Sequence, residues 1–325
     1  MDKFNLIKKT FKTEPTEKVP YAIWKHFPEF DKTPEGLLKA HINFQNNFDS
    51  DIMKISISGR AFAADFGAKL GGYDPDSGSR ICLKHPIEKL EDWENIKKID
   101  VTNGEFGNQI KGMGLINREV EGKVPTMMTV FSPFMVASQL DKDIILHYRK
   151  DPELVGEQFK IIIKAMTEFT KASLDAGADG IFLATQHFNS RLNDDERLEL
   201  EFNPMKSLIK KTIKKDNFVV LHLHGNNPDF EMATKLPIDA INWHDQQTKP
   251  SLSEARKIFQ GGLLGGLNAE TWKKLPNPDN VSSLISSVYK DFNGPGLIIA
   301  PGCVIPQFIS ESLIGTVVKT IKNLK

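Results

Sequence analysis

The stretch DPELVGEQFKIIIKAMTEFTKASLDAGADGIFLAT, residues 151–185, predicts one helix followed by one strand. Asp151-Pro152-Glu153 combines an N-cap residue, a proline at the first helical position and an early acidic residue, which together predict the start of a helix. Apolar residues then recur at steps of three to five positions until Gly177, where we expect the helix to end. The run DGIFLAT (179–185) is apolar without alternation, which is typical of a strand covered on both faces.

The same alternation of helix and strand extends along the chain. Further helices are predicted at about 203–215 and 307–323, with a helical piece near 87–97. Strands are predicted at 19–24, 51–57, 124–130, 179–185, 217–224, 238–243, 261–267 and 296–302. Eight such units predict an α/β fold, a single (β/α)8 TIM barrel over residues 1–325. Residues from about 59 to 123 are rich in Gly, Asp and Lys, and we expect them to form an insertion after the second strand that covers the barrel mouth.

Composition excludes several classes of protein. In 325 residues, 42 basic side chains balance 42 acidic ones, so no overall charge attracts nucleic acid or an anionic membrane. No apolar run reaches the 18 or so residues of a spanning helix, and the charged start does not resemble a secretory signal. Two cysteines are too few for a disulfide framework and suit a reducing compartment. We expect a cytoplasmic enzyme without nucleic-acid or membrane partners, with a homodimer as the candidate assembly.

Histidines and one cysteine cluster where the predicted strands end, which in a barrel of this kind is where catalytic groups gather. His222 and His224 stand two positions apart on one strand, so both side chains point to the same side. Cys303 follows the last strand and could supply a thiolate. Three such ligands with an open fourth position predict a divalent metal, most simply a catalytic zinc. The alternative is a pair of hydrogen-bonded histidines near an inert buried cysteine.

Other polar residues near strand ends are candidates for binding or catalysis. Asp51 could accept hydrogen bonds from NH groups of a ligand, or be a satisfied acid at the start of its strand. His187 and His244 could line the site, or be ordinary polar residues of the core or rim. Asp245 and Gln186 are candidates for a fourth ligand or for a group that supports the ligands. The loop Trp24-Lys25-His26 could bind substrate or simply anchor the chain.

Eight segments in a fixed order resemble the uroporphyrinogen decarboxylase superfamily over residues 19–323. They are WKHFPEF, FDSDIMKIS, FSPF, DAGADGIFLATQ, HLHGN, INWHD, GGLNAET and APGCVIP. The resemblance implies a distorted (β/α)8 barrel with its cleft at the C-terminal mouth. It also implies one of two activities: removal of acetate carboxyls from a tetrapyrrole, or zinc-dependent methyl transfer between corrinoid proteins and thiols.

The decarboxylase branch is similar to this chain at Asp51, where its acid holds pyrrole NH groups. The arginine-bearing segment of that branch is absent here, because residues 23–27 read Ile-Trp-Lys-His-Phe. The tyrosine of that branch falls on Gln139, and the histidine of its last motif falls on Cys303.

The methyltransferase branch is more similar in the C-terminal half. Its His-x-Cys-Gly motif and distant PGC turn match at His222, Gly225 and Cys303, while His224 stands where cysteine is usual. We therefore favour a zinc-assisted methyltransferase that uses a thiol and a corrinoid on a partner protein. A cofactor-free decarboxylase of uroporphyrinogen or a related carboxylated substrate, and a corrinoid- or tetrapyrrole-binding barrel without catalysis, are the alternatives. On this interpretation the metal ligands are His222, His224 and Cys303, the catalytic residues are Asp51, His187 and His244, and the substrate-binding residues are Trp24, Lys25, His26, Gln139 and Gln186.

Overall fold

The computed structural model describes residues 2–272 and 278–324. Its central element is a parallel sheet of seven strands that curls into a half-barrel, in the order β1-β4-β5-β6-β7-β8-β9. A separate antiparallel hairpin is formed by β2 and β3. The strands are β1 (Met53–Ile55), β2 (Lys69–Tyr73), β3 (Arg80–Lys84), β4 (Thr126–Phe131), β5 (Gly180–Thr185), β6 (Phe218–Leu223), β7 (Ala240–Trp243), β8 (Gly262–Leu267) and β9 (Leu297–Pro301).

Helices connect the successive strands of the parallel sheet, so the α/β class predicted from the sequence is confirmed. The α-helices are α1 (Lys3–Phe11), α2 (Pro34–Phe48), α3 (Ala61–Asp65), α4 (Gly104–Val120), α5 (Pro133–Leu140), α6 (Ile144–Lys150), α7 (Pro152–Asp175), α8 (Asp194–Arg197), α9 (Asn203–Thr212), α10 (Phe230–Ala233), α11 (Leu252–Ile258), α12 (Ala269–Trp272), α13 (Pro278–Phe292) and α14 (Glu311–Lys322). Within the described ranges, no helix combines the length and apolar character needed to cross a membrane.

The helix and strand of residues 151–185 form as predicted. The Asp151 side chain accepts a hydrogen bond from the Leu154 amide at the start of α7. Gly177 has a φ of +107°, a left-handed conformation that glycine adopts without strain and that ends the helix. Every residue of β5 is buried, in agreement with a strand covered on both faces.

Alternate residues of the strands pack into two hydrophobic layers. Phe182, Val220 and Leu264 belong to a small cluster inside the curled sheet. Their neighbours Leu183 and Leu221 belong to the large cluster between sheet and helices. His222 lies two residues after Val220 on β6, so its side chain points to the inner side.

The sequence predicts a first strand at 19–24, and the structure corrects this prediction. Here the structure has only an isolated bridge between Tyr21 and Ile299. The amides of Tyr21 and Ile23 donate to the side chains of Asp51 and Ser50 rather than to a neighbouring strand, and Pro20 has no amide hydrogen to donate. A regular ladder therefore does not form over this segment.

Residues 59–123 contain α3, the β2–β3 hairpin, a 3-10 helix at Leu90–Asn95 and α4. The 3-10 helix replaces the longer helical piece predicted near 87–97. The contacts that attach the hairpin include a hydrogen bond from the Tyr73 hydroxyl to Asp31, an ion pair between Arg80 and Glu105 at 2.6 Å, and a hydrogen bond from the Gln307 amide to the carbonyl oxygen of Asp76.

Candidate metal centre and its cavity

A cavity of about 490 Å³ opens at the carboxyl ends of the parallel strands. This is the position expected for an active site in an α/β barrel. Its wall combines aromatic, apolar, cationic and imidazole side chains. The lining includes Trp24, His26, Lys54, Arg60, Ser77, Ser79, Phe131, Met135, Gln139, Phe182, Gln186, His222, His224, His244, Cys303, Val304 and Phe308.

Four potential metal ligands meet in this cavity: His222, His224, His244 and Cys303. Their donor atoms all lie within 4.8 Å of one another. Nδ1 of His224 lies 3.6 Å from Sγ of Cys303 and 3.4 Å from Nε2 of His244. The structure thus brings together the three candidate ligands that the sequence predicts, and adds His244, which the sequence predicts as a catalytic residue.

Local backbone geometry explains how Cys303 reaches the histidines. A Cβ atom on Gly302 would lie 2.9 Å from the carbonyl oxygen of Trp243 and 3.1 Å from Cα of His244. Only glycine permits that approach between the end of β9 and the end of β7. Gly225, directly after His224, has a φ of +95°, so the chain turns away from the cavity immediately after the second histidine.

The His222 ring is oriented by Asn242, a fully buried residue of β7. Nδ2 of Asn242 donates to the carbonyl oxygens of Leu264 and Pro301, at 2.9 and 3.1 Å. Its Oδ1 therefore faces Nδ1 of His222, 2.6 Å away, and accepts the proton there. This leaves the Nε2 lone pair of His222 for a ligand, which is the usual arrangement behind a metal-binding histidine.

The His244 ring is oriented in the same manner by Gln247. Nε2 of Gln247 donates to Oδ1 of Asn268 at 3.1 Å, so its Oε1 accepts from Nδ1 of His244 at 2.9 Å. Burial lowers the pKa of His224, and it lowers that of His222 well below its usual value, with His224 and His244 adding to the effect. Neutral imidazoles are the form that binds a metal.

Lys54 is a cavity residue that the sequence analysis did not assign to the site. Its Nζ lies 4.8 Å from the centre of the Phe182 ring and donates to Ser56 at 3.2 Å. Burial lowers the pKa of Lys54 to about 7. A lysine inside the apolar run DIMKISI was the available signal, because an unpaired lysine is seldom buried without a function.

Four of the five predicted substrate-binding residues line the cavity: Trp24, His26, Gln139 and Gln186. Lys25 does not line the cavity, so the prediction that it binds substrate there is corrected. Its side chain is half-buried elsewhere, where burial lowers its pKa and the negative charge of Glu311 opposes that shift. The side chains of residues 24 and 26 point inward and that of the residue between them points away, as alternation along an extended segment requires.

Asp51 does not lie at the cavity. It precedes β1, at the amino end of the strands, and its carboxylate accepts from Lys18 at 2.6 Å and from the Tyr21 amide at 3.1 Å. The cavity lies at the opposite, carboxyl end, so we remove Asp51 from the candidate catalytic residues.

His187 and Asp245 also lie outside the metal-ligand group. The His187 ring packs edge-on against Phe134, and its Nδ1 lies 3.7 Å from a carboxylate oxygen of buried Glu201. Burial lowers the pKa of His187 to about 4. Both carboxylate oxygens of Asp245 accept from the Gly266 amide, which turns this group away from the imidazoles.

A family model described as uroporphyrinogen decarboxylase (URO-D) matches residues 12–324. The chain belongs to the uroporphyrinogen decarboxylase family. Within this family, the comparisons point to a methyltransferase relative. The methylcobamide:CoM methyltransferase MtbA of Methanosarcina mazei is 23% identical over 248 residues, which cover 75% of this chain and 71% of the relative.

Solved structures support the family fold. A methyltransferase from Methanosarcina mazei superposes with a TM-score of 0.81 at 17% identity and covers 98% of this chain and 97% of its own. A B12-independent methionine synthase from Shewanella superposes with a TM-score of 0.56 at 13% identity, over 96% of this chain and 95% of its own. At these identities the superpositions establish the fold of this uroporphyrinogen decarboxylase family member and leave its chemistry to the site.

Proposed function

We propose that this protein is a metal-dependent methyltransferase that moves a methyl group from a corrinoid, carried by a partner protein, to a thiol. The observation that carries the proposal is the convergence of three imidazoles and one thiol within 4.8 Å at the floor of the cavity. The relationship to a methylcobamide:CoM methyltransferase supports the same reaction class.

The donor set fits zinc, which binds imidazole nitrogen and thiolate sulfur. Asn242 and Gln247 already hold two of the rings with a nitrogen lone pair toward the other donors. We propose His222, His224 and Cys303 as ligands. A bound zinc ion would act as a Lewis acid that lowers the pKa of a substrate thiol, so that the thiolate is present at neutral pH.

The remaining cavity wall favours an anionic nucleophile in a partly dry environment. Trp24 and Phe182 pack edge-on, 5.5 Å between ring centres, and Lys54 lies over both rings. A cation on an apolar wall stabilises negative charge more strongly than it would in water. We propose that the thiolate is held here, with Gln139 and Gln186 contacting the substrate and the methyl donor approaching from the open mouth.

The segment 19–24 is hydrogen-bonded on both of its sides. On one side, the Ala22 amide donates to the carbonyl oxygen of Ile299, and the Ile299 amide donates to the carbonyl oxygen of Pro20. The Asp51 amide donates to Tyr21 on the other side. We propose that this segment acts as the eighth strand and closes a single barrel, and that residues 1–325 form one domain.

The decarboxylase alternative receives less support from the site. It requires Asp51 in contact with substrate, whereas the Asp51 carboxylate is held by Lys18 and Tyr21 at the other end of the strands. Of its other expected contacts, His26 lines the cavity and Lys25 does not.

The test is methyl transfer from methylcobalamin to a thiol by protein purified without a chelating tag. CoM and homocysteine serve as thiols, and loss of the methylcobalamin absorbance reports the reaction. We expect about one zinc per chain, loss of activity after chelation and its return with added zinc. Failure to restore roughly one equivalent of metal, or full activity in chelated protein, would contradict the proposal.

A further inference from the structure

The cavity carries two charged side chains, of opposite sign, that the proposed metal centre does not use. Arg60 follows β1, which is separated from β6 by β4 and β5 in the sheet. Asp76 lies in the turn between β2 and β3, and both residues line the cavity. Within residues 2–272 and 278–324, neither side chain forms an ion pair or a hydrogen bond, with the other or with a third residue. Both charges are therefore available to a ligand.

The turn that carries Asp76 is held against the segment that carries Arg60. The Gln307 backbone amide donates to the carbonyl oxygen of Asp76 at 2.8 Å. A Cβ atom on Gly59 would lie 2.6 Å from Oγ of Ser79, so the turn packs directly against the residue that precedes Arg60. These contacts fix the backbone from which the two charged side chains reach into the cavity.

Gln139 adds a buried acceptor to the same part of the wall. Its Nε2 donates to the carbonyl oxygen of Gly59 at 2.8 Å, so its Oε1 points away from that carbonyl. This Oε1 atom is buried and accepts no hydrogen bond from the part of the chain that the structure describes. A buried acceptor without a donor is unfavourable. A ligand with N–H groups would satisfy it, whereas a ligand whose only polar group is a carboxylate or a sulfonate would not.

Together, these three groups match the two charges of an α-amino acid. A guanidinium such as that of Arg60 binds a carboxylate through two parallel hydrogen bonds. An ammonium group offers three N–H donors, which suits the carboxylate of Asp76 and Oε1 of Gln139. The remaining wall includes Phe182, which stacks on the His222 ring at 5.2 Å between ring centres. This apolar surface beside a candidate metal ligand suits the methylene carbons next to a sulfur atom.

We propose that the methyl acceptor is an α-amino acid whose side chain ends in a thiol, with two carbon atoms between the sulfur and the α-carbon as in homocysteine. Arg60 binds its carboxylate, and Asp76 and Gln139 bind its ammonium group. The inference rests on the proposed function and names the class of its thiol. In the transfer, the thiol proton passes to solvent, the S–CH3 bond forms, and the electron pair of the broken Co–CH3 bond stays on cobalt. The product is a thioether amino acid.

Binding of L-methionine, the thioether of homocysteine, tests this site without a metal or a methyl donor. By calorimetry, the wild type should bind L-methionine more tightly than 4-(methylthio)butanoate, which lacks the ammonium group, and 3-(methylthio)propylamine, which lacks the carboxylate. Arg60→Met should weaken L-methionine binding about 10–100-fold, because a bidentate ionic contact is lost. The same variant should bind 3-(methylthio)propylamine as the wild type does.

Asp76→Asn tests the ammonium contact. Asp76 is exposed, so we expect a smaller loss of L-methionine affinity, about 2–5-fold, and a weaker preference over 4-(methylthio)butanoate. Arg118→Met and Asp216→Asn are the matched controls. Each removes the same charge from an exposed residue outside the cavity lining, and neither should change the affinity for L-methionine.

Turnover with two thiols gives a second measurement. Arg60→Met should lower kcat/KM for homocysteine about 10–100-fold. It should leave kcat/KM for 2-mercaptoethanol unchanged, since this thiol has neither a carboxylate nor an ammonium group. Equal loss with both thiols would show that the variant damages the catalytic centre, and would contradict the assignment of Arg60 to the carboxylate.

The outcomes separate this inference from the proposed function. If the wild type binds 4-(methylthio)butanoate as tightly as L-methionine, the ammonium group is not recognised and the inference is overturned. If Arg60→Met changes neither L-methionine binding nor homocysteine turnover, the inference is overturned while methyl transfer to another thiol stands. If L-methionine binding depends on Arg60 but no thiol accepts a methyl group, the amino-acid site stands and the proposed function fails.

Discussion

The Sγ atom of Cys303 lies 3.6 Å from Nδ1 of His224, although 79 positions separate the two residues in the sequence. The two follow β9 and β6, between which the sheet places β7 and β8. In a flat sheet, three strand spacings would hold these ends about 14 Å apart. Curling of the sheet brings the ends together on its inner side and makes a common site possible.

Replacement of Cys303 tests the sulfur donor. We expect Cys303→Ser to weaken zinc binding by more than the roughly 10–100-fold cost of losing a supporting residue, because a hydroxyl is a much poorer zinc ligand than a thiolate. Cys82→Ser is the control, since Cys82 lies on β3 outside the metal-ligand group. Competition with a chromogenic chelator measures both affinities. Equal weakening in the two variants would argue against the assignment.

Replacement of Asn242 tests the support of His222. Asn242→Ala removes the acceptor of His222 and leaves the buried carbonyls of Leu264 and Pro301 without this donor. We expect a loss of about 1–3 kcal/mol in the free energy of unfolding, together with a 10–100-fold loss of metal affinity. Urea denaturation and chelator competition measure the two effects. A stability loss with unchanged metal affinity would mean that Asn242 does not orient the ligand.

Replacement of Gly302 tests the close approach of β9 to β7. In Gly302→Ala the new methyl group would meet backbone atoms of Trp243 and His244. We expect destabilisation of about 1–3 kcal/mol and weaker metal binding, because the Cys303 turn must move outward. Gly315→Ala is matched to it, since a Cβ there meets nothing within 4 Å and lies in α14; it should be neutral or stabilising. Unfolding curves that coincide for the two variants would contradict this explanation.

The buried ammonium of Lys54 predicts a pH effect on stability. Its pKa falls from 10.5 to about 7 on folding, so between these values the unfolded chain holds more protons than the folded protein. The free energy of unfolding should therefore rise with pH in this window, by up to about 1.4 kcal/mol per pH unit.

Lys54→Met should remove that slope, measured by urea denaturation between pH 7 and pH 9. Lys171→Met, on the exposed face of α7, controls for the loss of one positive charge. Parallel curves for the wild type and Lys54→Met would show that Lys54 does not carry the effect.

Local patterns were enough to predict most of the sheet and the strand ends that carry the candidate ligands. The buried strands and the caps of α7 depend on residues close together in the sequence. The placement of His222 and Cys303 in the site can be predicted because these residues lie where β6 and β9 end. The segment 19–24 failed because its amide partners, the side chains of Asp51 and Ser50, lie about thirty positions away. No local sequence pattern indicates that these two side chains take the place of a neighbouring strand.

The roles of the remaining site residues depend on which end of a strand they occupy and on which way their side chains point, and not only on their position in the sequence. Asp51 lies beside a strand, as expected, but at its amino end, where the site is not. His244 was expected at the site, yet its role as a candidate ligand follows only from the contact with His224 and from Gln247 behind it. Lys54 could be assigned to the cavity only with knowledge of which face of its strand points inward.

X-ray absorption at the zinc edge tests the central claim most directly. Protein loaded with one equivalent of zinc should show one sulfur at about 2.3 Å and imidazole nitrogens at about 2.0–2.1 Å. The sulfur contribution should disappear in Cys303→Ser and remain in Cys82→Ser. A zinc shell of oxygen and nitrogen only, or a spectrum that Cys303→Ser leaves unchanged, would contradict a metal centre built on these residues.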